Sequence, residues 1–329
     1  HNWLVNSKHK ISKLILQARE LNKFHGTFLS SIMRYQVNGR IHAEINQLRS
    51  DQGGTVSGRL SMGNPNLQQI PARNKDFGPK IRSLFIPEEG QKWGSFDYSQ
   101  QEPRMTVHYA ASIGEGYEGS QELVDAYKNA SADFHQTVAD LVGIERTQAK
   151  TIGLGLMYGM GKNKLANSLG LTKDEAEILI SKYNRKVPFV KLLSEKCMLT
   201  AQDKGVIRTK RGRKCRFDQW ETKDFGLHLP ETFDNAVAKY GRDNIKRAKT
   251  YKALNRLIQG SSADQTKQAM VDCYKAGHLP ILQIHDELCF NVKNDEDVKL
   301  IKKTMEDCIE FKVPFVVDHG TGKSWGGAK

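Results

Sequence analysis

The chain has 329 residues, with 50 Lys and Arg against 37 Asp and Glu, a formal net charge of +13. At roughly 150 residues per domain, this length fits about two domains or one elaborated domain, large enough to bury about three quarters of the unfolded surface. With 38% hydrophobic and 26% charged residues, a disordered tail and a repeat fibre are excluded, and no apolar run reaches the roughly 18 residues of a membrane span. The positive excess points to a polyanionic partner, although it also occurs in basic proteins that are merely soluble. Five cysteines, an odd number without a C-x-x-C pair, argue against a disulfide framework and a Cys-ligated zinc. They fit reduced thiols in an intracellular compartment. The opening His-Asn-Trp-Leu-Val has no Met and no signal layout, and reads as cut from something longer.

In chain order, Ile11, Leu14, Ile15, Ala18, Leu21, Phe24 and Phe28 recur at helical spacing and predict an amphipathic helix. Lys8, Lys10, Lys13, Arg19 and Lys23 line its other side, either as a solvated face or as a nucleic-acid contact. Residues 51–79, rich in Gly and Pro, predict a long irregular stretch of a kind that is often functional. Lys92–Asp97 reads as a strand, followed by a helix opening near Pro103, where a first-turn proline is tolerated. Residues 121–200 are helical in pattern, 205–217 predict a hairpin, and 218–250 are polar without a clear period. A helix over 247–276 precedes two strands, Pro280–Ile284 and Leu288–Val292, joined by a tight turn at His285-Asp286-Glu287. A helix over 295–311 and a short strand, Val313–Val317, follow. The layout predicts an α+β fold, a small antiparallel sheet with helices grouped around it.

Asp97 ends a strand and Asp286 sits in a turn. Two such carboxylates, brought together, can hold a pair of divalent ions about 3.5–4 Å apart, and hard oxygen donors suit Mg²⁺. Singly, each is also an ordinary turn acid. Arg146, Lys150, Leu154 and Tyr158 are spaced four apart and share one helix face. Cations suit a triphosphate and a flat or apolar surface suits a base, so this face is a nucleotide platform; a solvated amphipathic helix is the alternative.

At this point a family resemblance becomes specific. Asp97-Tyr98-Ser99-Gln100-Gln101-Glu102-Pro103-Arg104 resembles the first palm motif of family A DNA polymerases, the bacterial DNA polymerase I type. Arg146-x3-Lys150-x7-Tyr158-Gly159 resembles their fingers-helix motif and His285-Asp286-Glu287 their third motif. Thr55-x2-Gly58-Arg59-Leu60-Ser61, Asn64-Pro65-Asn66-Leu67-Gln68, Asp133-Phe134-His135, Thr209-x2-Gly212-Arg213 and Asn255-x3-Gln259-Gly260 match in order. The closing Gly320-x-Gly322-x2-Trp325 is similar to the family's ending, which suggests a complete C-terminus.

The resemblance implies a right-hand polymerase: the end of a truncated thumb over 1–40, palm over 41–108 and 251–329, and helical fingers over 109–250. It implies template-directed addition of deoxynucleotides to a primer 3′-hydroxyl by two-metal phosphoryl transfer, with release of pyrophosphate. Asp97 and Asp286, with the main-chain carbonyl of Tyr98, are then expected to hold two Mg²⁺ ions. Arg146, Lys150 and His135 are expected to hold the triphosphate, with Lys150 also a proton donor to pyrophosphate. Leu154, Tyr158 and Gln100 belong to the nucleotide site, and Glu102 is expected to exclude a 2′-hydroxyl. Alone, Glu102 would read as an acid favoured at a helix N-terminus. Arg59, Asn66, Gln68, Asn255, Gln259, His285 and Arg213 are expected at primer–template DNA, where every base pair presents minor-groove acceptors. Lys204, Arg208, Lys210, Arg211, Lys214 and Arg216 add phosphate attraction, unless the hairpin is merely solvated.

Three positions depart from the family. Leu154 stands where most relatives have Phe or Tyr, Pro103 replaces a usual Leu, and Tyr251 replaces an Arg common in bacterial members. These suggest a phage-like or organellar branch. Motifs of a 3′–5′ exonuclease are missing, so an upstream exonuclease domain or a processivity factor is a partner to look for in a full-length parent. With most of the thumb missing, weak grip on primer–template is expected. A bacterial cytoplasm, or a host cytoplasm for a phage, is the expected location, with no membrane association. A single-subunit RNA polymerase is the nearest rival, and Glu102 speaks against it. A DNA-binding module that has lost catalysis is another, opposed by the intact Asp97, Lys150 and Asp286.

Overall fold

Four strands form the central sheet: β1 (Lys92–Tyr98), β2 (Pro280–Ile284), β3 (Glu287–Val292) and β4 (Val317–Gly322). Their order is β2-β3-β1-β4 and every pair is antiparallel. The structure, a computed structural model, describes residues 2–48, 53–71, 74, 76–113, 120–128, 133–224, 226 and 228–328. Parts of the expected irregular stretch (51–79) and of the expected helical region (121–200) lie outside these residues.

Strand side chains alternate between faces, and here both faces are buried. Phe96 and Tyr98 join Leu288, Phe290, Val292 and Val317 in one core. Trp93 joins Leu282, Ile284, Cys289 and Trp325 in another. The helices around the sheet include α1 (Lys10–Lys23), α2 (Gln101–Ser112), α3 (Phe134–Val142), α4 (Arg146–Met157), α5 (Pro188–Lys204), α6 (Ala253–Lys275) and α7 (Asp295–Asp307). Met105 of α2, Leu257 of α6 and Ile301 of α7 cover the first face, and the same core runs on through Phe134 of α3, Ile152 of α4 and Leu193 of α5. Phe24, Phe28, Ile32 and Ile81 cover the second.

On that second face the apolar residues give way after Trp93 to Ser95 and Asp97. The register aligns Glu287 of β3, Asp97 of β1 and Asp318 of β4 in one row across three strands. Asp286 lies one step beyond, in a two-residue turn flanked by the pair Ile284 and Glu287. His285 holds φ +57° in that turn, a conformation non-glycine residues adopt uncommonly.

Several sequence expectations need correction. The last strand is Val317–Gly322, not Val313–Val317. Pro314 lacks a ladder donor, and the segment Val-Asp-His-Gly-Thr-Gly is extended because it pairs with β1 along six residues. The amphipathic helix near the start is interrupted: α1 ends at Lys23, a π-helical turn covers Phe24–Leu29, and a short helix covers Ser30–Tyr35. Its Ile11, Leu14, Ile15 and Leu21 are exposed, and only the later Phe24, Phe28 and Ile32 are buried. Helix α7 stops at Asp307, short of 311, and α6 starts at Ala253 after a strand, Ile245–Arg247, and a 3₁₀ turn, Thr250–Lys252. The featureless 218–250 region contains that strand, its partner Trp220–Thr222 and a helix, Phe233–Tyr240. The hairpin over 205–217 forms as expected, with Val206–Arg208 pairing Lys214–Arg216.

Candidate active site

The row of acids opens into a cleft of about 930 Å³, lined by Asp97, Asp286, Glu287, Asp318, Lys150 and Gln68 among others. Asp97 and Asp318 are exposed to it, whereas Asp286 is half-buried. Burial lifts the Asp286 carboxyl above its ordinary value, against the pull of the Arg59 and His285 charges. Glu287 is held in place: its Oε1 accepts the Trp325 indole N–H at 3.2 Å. Tyr98 turns its ring into the core and donates its hydroxyl to the Met305 carbonyl at 2.7 Å, so its side chain takes no part in the cleft.

Helix α4 brings the cations. Arg146 at its start donates from Nε (2.8 Å) and Nη2 (2.6 Å) to Oδ2 of Asp133. Asp133 also caps α3, its Oδ1 accepting the main-chain N–H of His135 at 2.9 Å and of Gln136 at 3.1 Å. His135 is buried beside this pair, and among the described residues its Nδ1 has no hydrogen-bond partner. Desolvation, helped by the Lys150 and Arg146 charges, lowers the imidazole from 6.5 to about 4. Arg146 and Lys150 of α4 and His135 of α3 are thus neighbours, close enough for the two cations to act on the imidazole.

The far end of α4 carries a second cluster. The Tyr158 hydroxyl donates to Oε2 of Glu102, while Arg59 Nη2 donates to Oε1 of Glu102 at 2.6 Å. Burial and the Glu102 charge raise the Tyr158 phenol, and Gln259 also hydrogen-bonds it. Leu154 is half-buried against the first core.

Other expected site residues hold the site together. Gln100 has φ +53°, a strained conformation for glutamine, and its Oε1 accepts the Phe134 N–H at 2.9 Å and the Tyr127 hydroxyl at 3.3 Å, tying α2 to α3. Asn66 caps a 3₁₀ turn through Gln68 N–H at 3.1 Å. Gln68 Nε2 donates to Gln283 Oε1 at 2.9 Å, and Gln283 donates in turn to the His285 carbonyl. Asn255 and Gln259 are half-buried one turn apart on α6. In the basic hairpin, Arg213 donates to Asp264 at 2.6 Å, Arg211 bonds Gln268, and Lys210 bonds the Glu310 carbonyl. Arg208, Lys214 and Arg216 are exposed.

Sequence reasoning gave no role to Glu287, Asp318 or Asp133. The missed signal for Asp318 is strand position: with β4 at its observed place, alternation puts Asp318 on the face of Asp97. Among the described residues no three or more His, Cys, Asp or Glu are gathered as a ready-made metal cage. A few carboxylates beside an open cleft nevertheless fit Mg²⁺, which is commonly bound by one or two carboxylates with substrate phosphates and water.

The family model described as DNA polymerase family A matches residues 2–327. The chain is similar to a DNA-directed DNA polymerase of Pseudomonas phage M6, at 38% identity over 97% of this chain and 52% of that protein. It is similar to DNA polymerase I of Lactococcus lactis subsp. cremoris, at 33% identity over 96% of this chain and 34% of that protein. A solved structure, the POL domain of Pol1 from M. smegmatis in complex with DNA primer-template and dNTP, superimposes with a TM-score of 0.80 at 27% identity, over 99% of this chain and 55% of that one. The chain therefore spans about half the length of the phage relative and about a third of the bacterial one.

Proposed function

The chain belongs to DNA polymerase family A, and we propose that it is the polymerising part of a template-directed DNA polymerase. It adds deoxynucleotides to a primer 3′-hydroxyl and releases pyrophosphate. The observation that carries this reading is that Asp97, Asp286 and Lys150, from three distant segments, line one cleft. In this assignment residues 1–40 end the thumb, 41–108 and 251–329 make the palm, and 109–250 make the fingers. Its partners are primer–template DNA and a dNTP; a full-length parent is where an upstream exonuclease domain or a processivity factor would be sought. The setting is a cytoplasm, that of the host for a phage protein.

Asp97 and Asp286 would hold the two Mg²⁺ ions, with the Tyr98 main-chain carbonyl as a further donor. When bound, the pair supplies charge stabilisation to the transferring phosphoryl group. The protein's own groups do the rest. Arg146, His135 and Lys150 bind and orient the triphosphate, and the buried Nδ1 of His135 gains a partner. Lys150 is the group able to deliver a proton to the leaving pyrophosphate oxygen. Leu154 and Tyr158 pack the base and sugar. Glu102, fixed by Arg59 and Tyr158, blocks a ribose 2′-hydroxyl. Gln68, Asn66, Asn255, Gln259 and His285 approach the duplex, and Arg59 and Arg213 add charge.

Primer extension with dNTP and with rNTP tests the reading. Extension with dNTP is expected, and Asp286→Ala and Asp97→Ala should reduce it by more than the roughly 10–100-fold typical of losing an outer-shell partner. A preference for rNTP would favour an RNA polymerase. Undiminished extension by Asp286→Ala would overturn the catalytic assignment.

A further inference from the structure

Gln101 stands next to Glu102 but turns into the core. The two are the first residues of α2, and successive side chains on a helix point about 100° apart. Glu102 meets Arg59 and Tyr158, while Gln101 is buried against α6. There its Nε2 donates to Gln265 Oε1 at 3.0 Å, with Thr266 Oγ1 at 3.3 Å and the Ser262 carbonyl at 3.4 Å also in reach. Gln265 is fully buried, and among the described residues its Nε2 has no hydrogen-bond partner. Its side-chain amide is thus held through its oxygen, by Gln101.

Two helices do not need buried amides to adhere: an apolar pair of the same shape can serve stability about equally well. A polar pair adds a fixed register, because a slip leaves buried groups unpaired. The first turn of α2 needs such fixing. Gln100 at its cap holds φ +53°, and a strained backbone persists only where its surroundings over-determine it. On one side the Gln100 side chain is tied to Phe134 and Tyr127; on the other the Gln101 amide is tied to α6. Helix α6 also reaches Glu102 through Gln259 and Tyr158, but that route passes through α4. The tie from Gln265 to Gln101 does not, and it acts on the main chain that carries Glu102.

We propose that Gln265 is a positioning residue for sugar selection: through Gln101 it sets how far Glu102 reaches toward the 2′ position of the incoming sugar. This rests on reading Glu102 as the group that blocks a ribose 2′-hydroxyl. Without the tie the first turn relaxes, the carboxylate draws back, and a ribonucleotide fits.

Single-nucleotide incorporation with dNTP and with rNTP, each measured as kcat/KM, tests this. Met keeps the length of Gln and removes its amide. Gln101→Met and Gln265→Met should each raise kcat/KM for rNTP and lower the preference for dNTP by about 10- to 100-fold, the range for a group displaced by up to about 1 Å. The double variant Gln101→Met/Gln265→Met leaves neither amide unpaired, and should match the single variants rather than multiply their effects. A packing defect alone lowers both rates by one factor and leaves the preference where it was. A wild-type preference in the double variant, while Glu102→Ala loses it, overturns the tie alone. A preference unchanged in Glu102→Ala overturns the reading of Glu102 and the tie with it, and absence of extension by the wild type overturns the polymerase reading as well.

Discussion

His108 of α2 makes a pH prediction that can be isolated from every other group. It is buried, its Nδ1 accepts the Lys312 main-chain N–H at 3.1 Å, and its ring meets Tyr109 and Phe311 edge-on at 5.0 and 4.9 Å. Burial first, then the Lys210 and Lys312 charges, lowers its pKa from 6.5 to about 4. The folded state therefore keeps the ring neutral while the unfolded chain takes up a proton, and stability falls as pH drops from about 6.5 towards 4. At pH 5 the two protonation equilibria differ by about 2 kcal/mol. Urea unfolding of wild type and His108→Gln, at pH 7.5 and pH 5, isolates this contribution, because His135 and the carboxylates are common to both. The stability advantage of wild type over the variant should shrink by about 2 kcal/mol on acidification. An advantage equal at both pH values would refute the reasoning.

Leu154→Phe gives the base end of α4 a flat face; single-nucleotide incorporation rates and dideoxynucleotide discrimination should both change, and identical kinetics with all four nucleotides would count against a contact there. Trp325→Ala removes a fully buried ring that stacks on Trp93, meets Phe85 edge-on, lies under the Arg82 guanidinium and orients Glu287. It should cost about 3–5 kcal/mol in denaturant unfolding, and a loss below about 1 kcal/mol would deny its packing role.

Much of the sheet was readable because its strands obey local rules. Lys92–Asp97 and the two strands around His285 and Asp286 combine apolar runs with a tight turn, and the structure keeps them within a residue or so. The misplaced β4 obeys no local rule: its polar, glycine-containing segment is a strand only because β1 offers an open edge. Helical spacing in α1 correctly marked an apolar stripe, but periodicity cannot say what covers it, and here Ile11 and Leu14 face outward. At the site, the face shared by Arg146, Lys150, Leu154 and Tyr158 was legible from spacing alone. The clamp of Asp133 on Arg146, the tie from Gln100 to Phe134 and the shared hold of Arg59 and Tyr158 on Glu102 were not. Each joins segments whose proximity is set by tertiary packing.

The position of β1 in the sheet also has a consequence for biosynthesis. Its two neighbours, β3 and β4, follow about 190 and about 220 positions later. At ribosomal rates of about 5–20 residues per second, β1 emerges some 10–40 seconds before either edge can be satisfied. During that interval a nascent strand with Trp93, Phe96 and Tyr98 is open to pairing with other chains. Yield in the cell should therefore depend on chaperone capacity during translation, and a message truncated before β4 should deliver an aggregating product.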